Sequence, residues 1–470
     1  MGALSPTLVE LARWSATVRF SDIPATVQQA AKRCLIDTFG VALAGSGSEV
    51  AEQARAVSRL TAAVGHCAVL GDTRALCAPA AAFINGTAGH ALDFDDNCYP
   101  GFVHGSVVIL PAALAVTQMR DLDGAALLTA FVVGAECEYA LARALGRQIY
   151  DRGWWTTGVL GVVGSCAAAC HALGLNAAQT ASALGIALTG SGGMKAGFGT
   201  DAKMLMAGRT SEAGVIAALL ASHGSQGPLD IVEHSHGLAV MFNSGLLSPL
   251  PALGHDWSLL TPGVDIKRIP ICLSSHAAVD ALKDILVLDA ISVDDIAQII
   301  CDVPPIVIQN LIHDAPTQRQ QAQFSMPFAM AATCLLDEIT LDSLTVSILH
   351  RPELQQLMKR VRMISSDRWQ LHLLESAPEG AWVKVVCTDG TTHERFCAMA
   401  LGSAFNPLSL AQLRGKFMQC AARTEPGTTP GTLISTTEAH ALFTRLERLE
   451  HLPRVRDLLP HLNRTETIPS

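Results

Sequence analysis

The sequence predicts a mainly α-helical protein interrupted by one α+β segment, and three observations carry that expectation. Apolar residues recur at helical spacing through most of the chain, as in Val27, Ala30, Ala31, Cys34, Leu35 and Phe39. Ala, Leu and Gly are abundant and Tyr is scarce, which suits close-packed helices better than a β-sandwich. From about residue 265 the texture changes, and an alternating run from Trp382 to Cys387 meets Asp389-Gly390, a hairpin signal.

Residues 8–45 read as two helices, the first carrying Leu8, Leu11, Ala12 and Trp14, the second opening near Pro24 and closed by Gly45-Ser-Gly. A second helix pair covers about 49–91. Residues 106–147 are helical again, with Glu136 and Glu138 expected on a solvent-facing side. Thr156 or Thr157 is the expected N-cap of a helix to His171 built of Gly, Ala, Cys and Val. Residues 178–222 follow, then a stretch rich in Pro, His, Asn and Ser in which His234 and His236 read as loop. Residues 265–276 open a new unit. It holds a helix from His276 to Leu286, a strand from Val293 to Val303, a helix from Met326 to Asp337 and the hairpin. Helices return with an N-cap at Ser409. The expected division is a helical part at 1–264, an α+β part at 265–403 and a second helical part at 404–470.

With 470 residues, 49% hydrophobic and 16% charged, the chain has ample core for one large or two ordinary domains. A net charge of −9 with no basic run argues against nucleic-acid binding. The N-terminus lacks the features of a secretory signal, and the apolar runs near Val107–Ala115 and Ala125–Gly134 read as too short to span a bilayer. A cytoplasmic protein with buried helices, some of them at an oligomer interface, is the expectation. Thirteen Cys residues without a C-x-x-C pair indicate reduced thiols and no zinc or iron–sulfur framework, with Cys166 and Cys170 packing as small core residues.

Chemistry concentrates in His90-Ala-Leu-Asp93-Phe-Asp95-Asp96-Asn97 and the following loop to His104-Gly-Ser106. Three carboxylates, an amide and two imidazoles in an apolar setting are costly to bury unless paired or used. Asp93 and Asn97, four apart, are expected on one helix face, with His104 swinging back from the loop after Pro100-Gly101. A second segment, Gly190 to Arg209, surrounds Lys195, Lys203 and Arg209 with glycines. It lacks nucleotide-loop spacing, but a glycine-rich connection beside a helix start suits carboxylate binding. Lys203 is the expected functional lysine and Lys195 a surface one.

These segments resemble the signature of the MmgE/PrpD family, which includes 2-methylcitrate dehydratases, cis-aconitate decarboxylases and iminodisuccinate epimerases. The resemblance runs nearly end to end. It includes Ala202-Lys203 with Ala207-Gly208-Arg209, Ile266-Lys267-Arg268-Ile-Pro270 with His276 and Asp280, and Phe324-Ser-Met-Pro-Phe328. It implies a large helical domain made from both chain ends, a smaller α+β lid, homodimers, and no metal or other cofactor. By this resemblance Asp93, His104, Lys203 and Lys267 match active-site positions, and Asn97 replaces a threonine. Trp155 and Cys272 stand in place of histidines, and Phe328 in place of a tyrosine. The loss of those proton carriers favours epimerisation of an iminodisuccinate-like acid over dehydration or decarboxylation of a tricarboxylate. In that reading Lys203 and His104 are acid and base, and Asp93 orients His104. Asn97, Lys267, Arg268, Arg209, Trp155 and Cys272 line the substrate. Two readings stand further off: a Mg²⁺-dependent prenyl-diphosphate enzyme using Asp93-Phe-Asp95-Asp96, and a non-catalytic scaffold.

Overall fold

A computed structural model describes residues 6–422 and 434–459. Residues 1–5, 423–433 and 460–470, which include both ends of the expected helical part, lie outside the described residues. The chain forms two compact units, Met1–Ile266 with Ser409–Ser470, and Lys267–Leu408.

The first unit begins with α1 (Thr7–Ser15), α2 (Ala25–Gly45), α3 (Glu49–Thr61), a short strand β1 (Val64–Cys67) and α4 (Ala78–His90). After the acidic loop come α5 (Ser106–Met119), α6 (Gly124–Leu145), a single turn α7 (Gln148–Asp151), α8 (Thr156–Leu173), α9 (Ala177–Thr189), α10 (Asp201–Ser222) and α11 (Leu238–Asn243). Side-chain caps set several starts. Ser48 accepts from Ala51 N, Asp123 from Ala126 N, and Asn176 forms a reciprocal capping box with Gln179. Gly174, with φ of 73°, ends α8 in the left-handed conformation that glycine tolerates.

Small residues let these helices approach closely, and α10 packs against both α4 and α8. Gly208 of α10 lies against the Phe83 carbonyl and Thr87 hydroxyl of α4. Gly214 meets Ser165 of α8 in the same way. Gly208→Val would drive a branched side chain into α4 and is expected to cost roughly 1–3 kcal/mol or more, read as a lower urea midpoint.

The helices Gly124–Leu145, Thr156–Leu173 and Asp201–Ser222 are long and apolar enough to cross a membrane, unlike the shorter runs read from sequence. In the first two, 89% of the apolar window is covered by the protein itself.

Two local expectations are corrected. Glu136 and Glu138 do not face solvent; both are buried. Glu136 accepts from the Ser258 and Leu259 amides at 2.8 and 2.9 Å, because the segment after α11 folds over that side of α6. Glu138 presses against Gly161 and Gly164 of α8, whose missing side chains leave room for a carboxyl group. Neither Thr156 nor Thr157 caps α8, whose N-cap is Trp155. Thr156 instead donates to the Phe102 carbonyl at 2.7 Å, and Thr157 accepts from the His104 amide at 2.9 Å, so both tether the acidic loop.

The second unit packs α12 (His276–Leu288) and the helix Met326–Leu335 with a four-stranded sheet. The strands are β2 (Ile296–Asp302), β3 (Val361–Ile364), β4 (Ala381–Cys387) and β5 (Thr392–Cys397), in spatial order β3-β2-β4-β5. β2 runs parallel to β3 and antiparallel to β4, and β4–β5 is the hairpin expected at Asp389-Gly390. Burial alternates residue by residue along β4, as a half-covered strand requires. Gly390, with φ of 87°, makes the turn. The chain then returns to the first unit through Leu410–Ala421, capped by Ser409, and Thr436–Glu447.

Candidate active site

The site is built where α4 ends. His90 closes the helix, Ala91 caps it, and Asp93 turns the chain with φ of 49°. Asn97 is therefore not one helical turn beyond Asp93. It lies in a two-way backbone bridge with Asp265, at 2.9 and 2.8 Å, so the expected shared helix face is replaced by a folded loop. The loop continues through the Cys98–Val103 bridge to His104 and enters α5 at Ser106. Lys416 anchors it from the C-terminal segment, donating to the Phe94 carbonyl at 3.0 Å and pairing with Asp37 of α2 at 2.6 Å.

Two charge systems result. In the first, the Asp95 carboxylate lies 2.9 Å from His90 Nδ1 and 3.2 Å from His104 Nδ1, with the two rings 4.9 Å apart. Burial pushes the Asp95 carboxyl up, but His90 and His104 together outweigh it and hold the group well below the usual carboxylate range. Burial pushes the His90 imidazole down to about 4, opposed by Asp95 and assisted by the Lys203 charge, so His90 is neutral at pH 7. His104 Nδ1 also lies 2.8 Å from the Asp96 carbonyl. A carbonyl only accepts, so Nδ1 carries a proton, and in the neutral ring the lone pair is on Nε2. His104 is thus arranged as a base whose imidazolium form Asp95 would stabilise.

In the second system, Lys203, in the first turn of α10, pairs with Asp93 at 3.0 Å while both are largely buried. Its ammonium lies 4.9 Å from the Phe198 ring centre and 5.9 Å from that of Trp155. Trp155 packs on His90 at 5.3 Å between ring centres and links the two systems. Behind them, Asp96 accepts from Ser106 at 2.5 Å, and burial pushes its carboxyl up to about 8.

This distribution changes the expected roles. Asp95, not Asp93, holds His104, and Asp93 holds Lys203. Arg209 is not brought to the cluster; its exposed guanidinium pairs with Glu212 at 2.6 Å and covers the Phe83 ring. Lys267, Arg268 and Cys272 belong to the second unit. There Arg268 pairs with Asp280 at 2.5 Å, the Cys272 amide donates to the Gln323 carbonyl at 2.8 Å, and Phe328 packs in that unit's core.

The profile of the MmgE/PrpD N-terminal domain matches residues 9–247, and that of the MmgE/PrpD C-terminal domain matches residues 269–429. The chain belongs to the MmgE/PrpD family. Within it, the chain is 28% identical to the cis-aconitate decarboxylase of Mus musculus over 443 residues, covering 90% of this chain and 86% of the relative. It is 28% identical to that of Homo sapiens over 418 residues, covering 84% of each. A cis-aconitate decarboxylase-like protein of Aspergillus oryzae is 28% identical over 442 residues, covering 88% of this chain and 90% of the relative.

In this MmgE/PrpD chain His90, Phe198 and Lys416 have no individual role in the readings of the sequence, and Asp95 has one only in the Mg²⁺-dependent alternative. His90 and Asp95 lay inside the quoted motif, and their spacing across a helix end was the available signal. Lys416 is 322 residues from its carbonyl partner, and nothing in its local sequence marks it.

Proposed function

We propose that this chain is a cofactor-independent lyase of a small polycarboxylic acid, of the cis-aconitate type, working by proton transfer. The observation that carries the reading is His104, with a lone pair at Nε2 and an anionic carboxylate behind Nδ1, in the same loop that holds the Lys203 ammonium through Asp93. A neutral base and a cationic acid are thereby set up together. In decarboxylation the bond to one carboxylate breaks and carbon dioxide leaves. Its electron pair moves through the neighbouring double bond, and the Lys203 ammonium, or His104 once protonated from solvent, delivers a proton to carbon. The names and end-to-end similarity of the relatives support this class of reaction. Lys267 and Arg268 are proposed carboxylate ligands on the strength of the motif they occupy.

One observation favours a second reading, epimerisation of an iminodisuccinate-like acid. Trp155 packs on His90 at the position where the resemblance expects a histidine, and an indole is no proton carrier at neutral pH. A reaction that only removes and returns one α-proton asks less of the site.

Proton NMR in D₂O with cis-aconitate, 2-methylcitrate and one stereoisomer of iminodisuccinate separates the two. Consumption or formation of an alkene is expected with a tricarboxylate. Exchange at the α-carbon of iminodisuccinate without alkene would establish the epimerase instead. Lys203→Ala and His104→Ala are each expected to lower turnover by about 10²–10⁴, and near-wild-type turnover in both would remove this pair from the chemistry.

A further inference from the structure

We propose that His90, Asp95 and His104 form a binding site for a single divalent transition ion of the zinc class, and that its occupancy silences the base at His104. One nitrogen of each ring and a carboxylate oxygen all lie within 4.8 Å of one another. Two of the three separations, 2.9 and 3.2 Å, are already near those of a coordination sphere. Bonds of about 2.0–2.1 Å in tetrahedral geometry place neighbouring donors about 3.3 Å apart. Small side-chain rotations therefore suffice. Two imidazoles and one carboxylate with a fourth position left open suit zinc, cobalt or copper, whereas Mg²⁺ and Ca²⁺ favour all-oxygen sites.

The charges also fit. Asp93 is balanced by Lys203, while among the described residues Asp95 is paired with the two imidazoles and with no lysine or arginine, so an entering dication meets an anion without a direct cationic partner. His90 and Asp95 are fully covered, and the His104 side chain is 13% exposed, so the ion approaches on the His104 side. On binding, each imidazole keeps its one proton but carries it on Nε2, because the ion takes the Nδ1 lone pair. His104 then has no lone pair left for a substrate proton. The inhibitory half of the proposal rests on the base role given to His104 above; the binding half does not.

The test uses Co²⁺ as the probe on the purified full chain after chelator treatment. The expected result is a set of visible d–d bands typical of tetrahedral nitrogen and oxygen ligation, saturating at one equivalent and displaced by Zn²⁺. X-ray absorption on the zinc-loaded wild-type protein is expected to show imidazole scattering and no sulfur shell. This readout does not depend on any variant folding. His90→Gln is expected to lose the bands. His171→Gln is expected to keep them, since that ring bonds the Ser15 carbonyl elsewhere. Turnover is expected to fall by about 10² or more with Zn²⁺, to recover with chelator, and to ignore Mg²⁺. Absence of visible bands, a thiolate charge-transfer band, or bands that survive in His90→Gln would overturn the site. An ion bound here with turnover undiminished would overturn the inhibition and the base role of His104, while the site itself would stand.

Discussion

Asp95→Asn is expected to lower kcat by about 10²–10⁴ while leaving the fold intact. The carboxylate accepts from His90, lies 3.2 Å from His104 Nδ1, and is the anion that would face an imidazolium formed at His104. An amide of the same shape has one acceptor and one donor. It therefore satisfies one ring and opposes the other, and it offers no charge to the protonated base. The effect should fall on kcat with KM largely kept, because Asp95 is fully covered and touches the base rather than the substrate. Asp93→Asn acts on the other system, loosening Lys203, and should move KM as well if Lys203 also binds a carboxylate. A near-wild-type kcat in Asp95→Asn would remove the His104–Asp95 pair from the mechanism.

The second large effect is on stability. Burial raises Asp96 from 3.8 to about 8, Glu136 from 4.5 to about 7 and Glu138 from 4.5 to about 8. The folded chain thus holds protons that the unfolded chain releases over this range, and stability is lost as pH rises through it. His90 works the other way. Its folded value of about 4 lies below 6.5, so the unfolded chain binds the extra proton between those values and stability there rises with pH. Above pH 6.5 His90 no longer titrates in either state, and the carboxyl groups act unopposed. The thermal midpoint is therefore expected to fall from pH 6.5 to pH 9. Neither Glu138 oxygen has a hydrogen-bond partner among the described residues, so its anion gains nothing to offset burial. Glu138→Gln keeps the shape and removes the charge, and it should flatten the decline and be the more stable protein at pH 9. Identical slopes in wild type and Glu138→Gln would show that Glu138 does not titrate in this window.

The helical architecture, the hairpin and the location of the chemistry are legible in the residues alone. Each is written locally. Apolar residues at helical spacing mark α2, alternation about Asp389-Gly390 marks β4–β5, and a charged run between apolar helices marks the site. Pairing within that run was decided only by tertiary structure. Asp93, Asp95 and Asp96 are nearly interchangeable as letters, yet one binds Lys203, one lies between two imidazoles and one is buried as an acid. The deciding events are the left-handed turn at Asp93, the Asn97–Asp265 bridge and the arrival of Lys203 from α10. Glu136 and Glu138 depart from the helix pattern for the same reason. A charge in a helix usually means solvent, and only the segment at Ser258–Leu259 and the glycines of α8 put these two inside. Burial and ion pairing depend on residues tens to hundreds of positions away, and no local pattern encodes which of several like charges a distant lysine will meet.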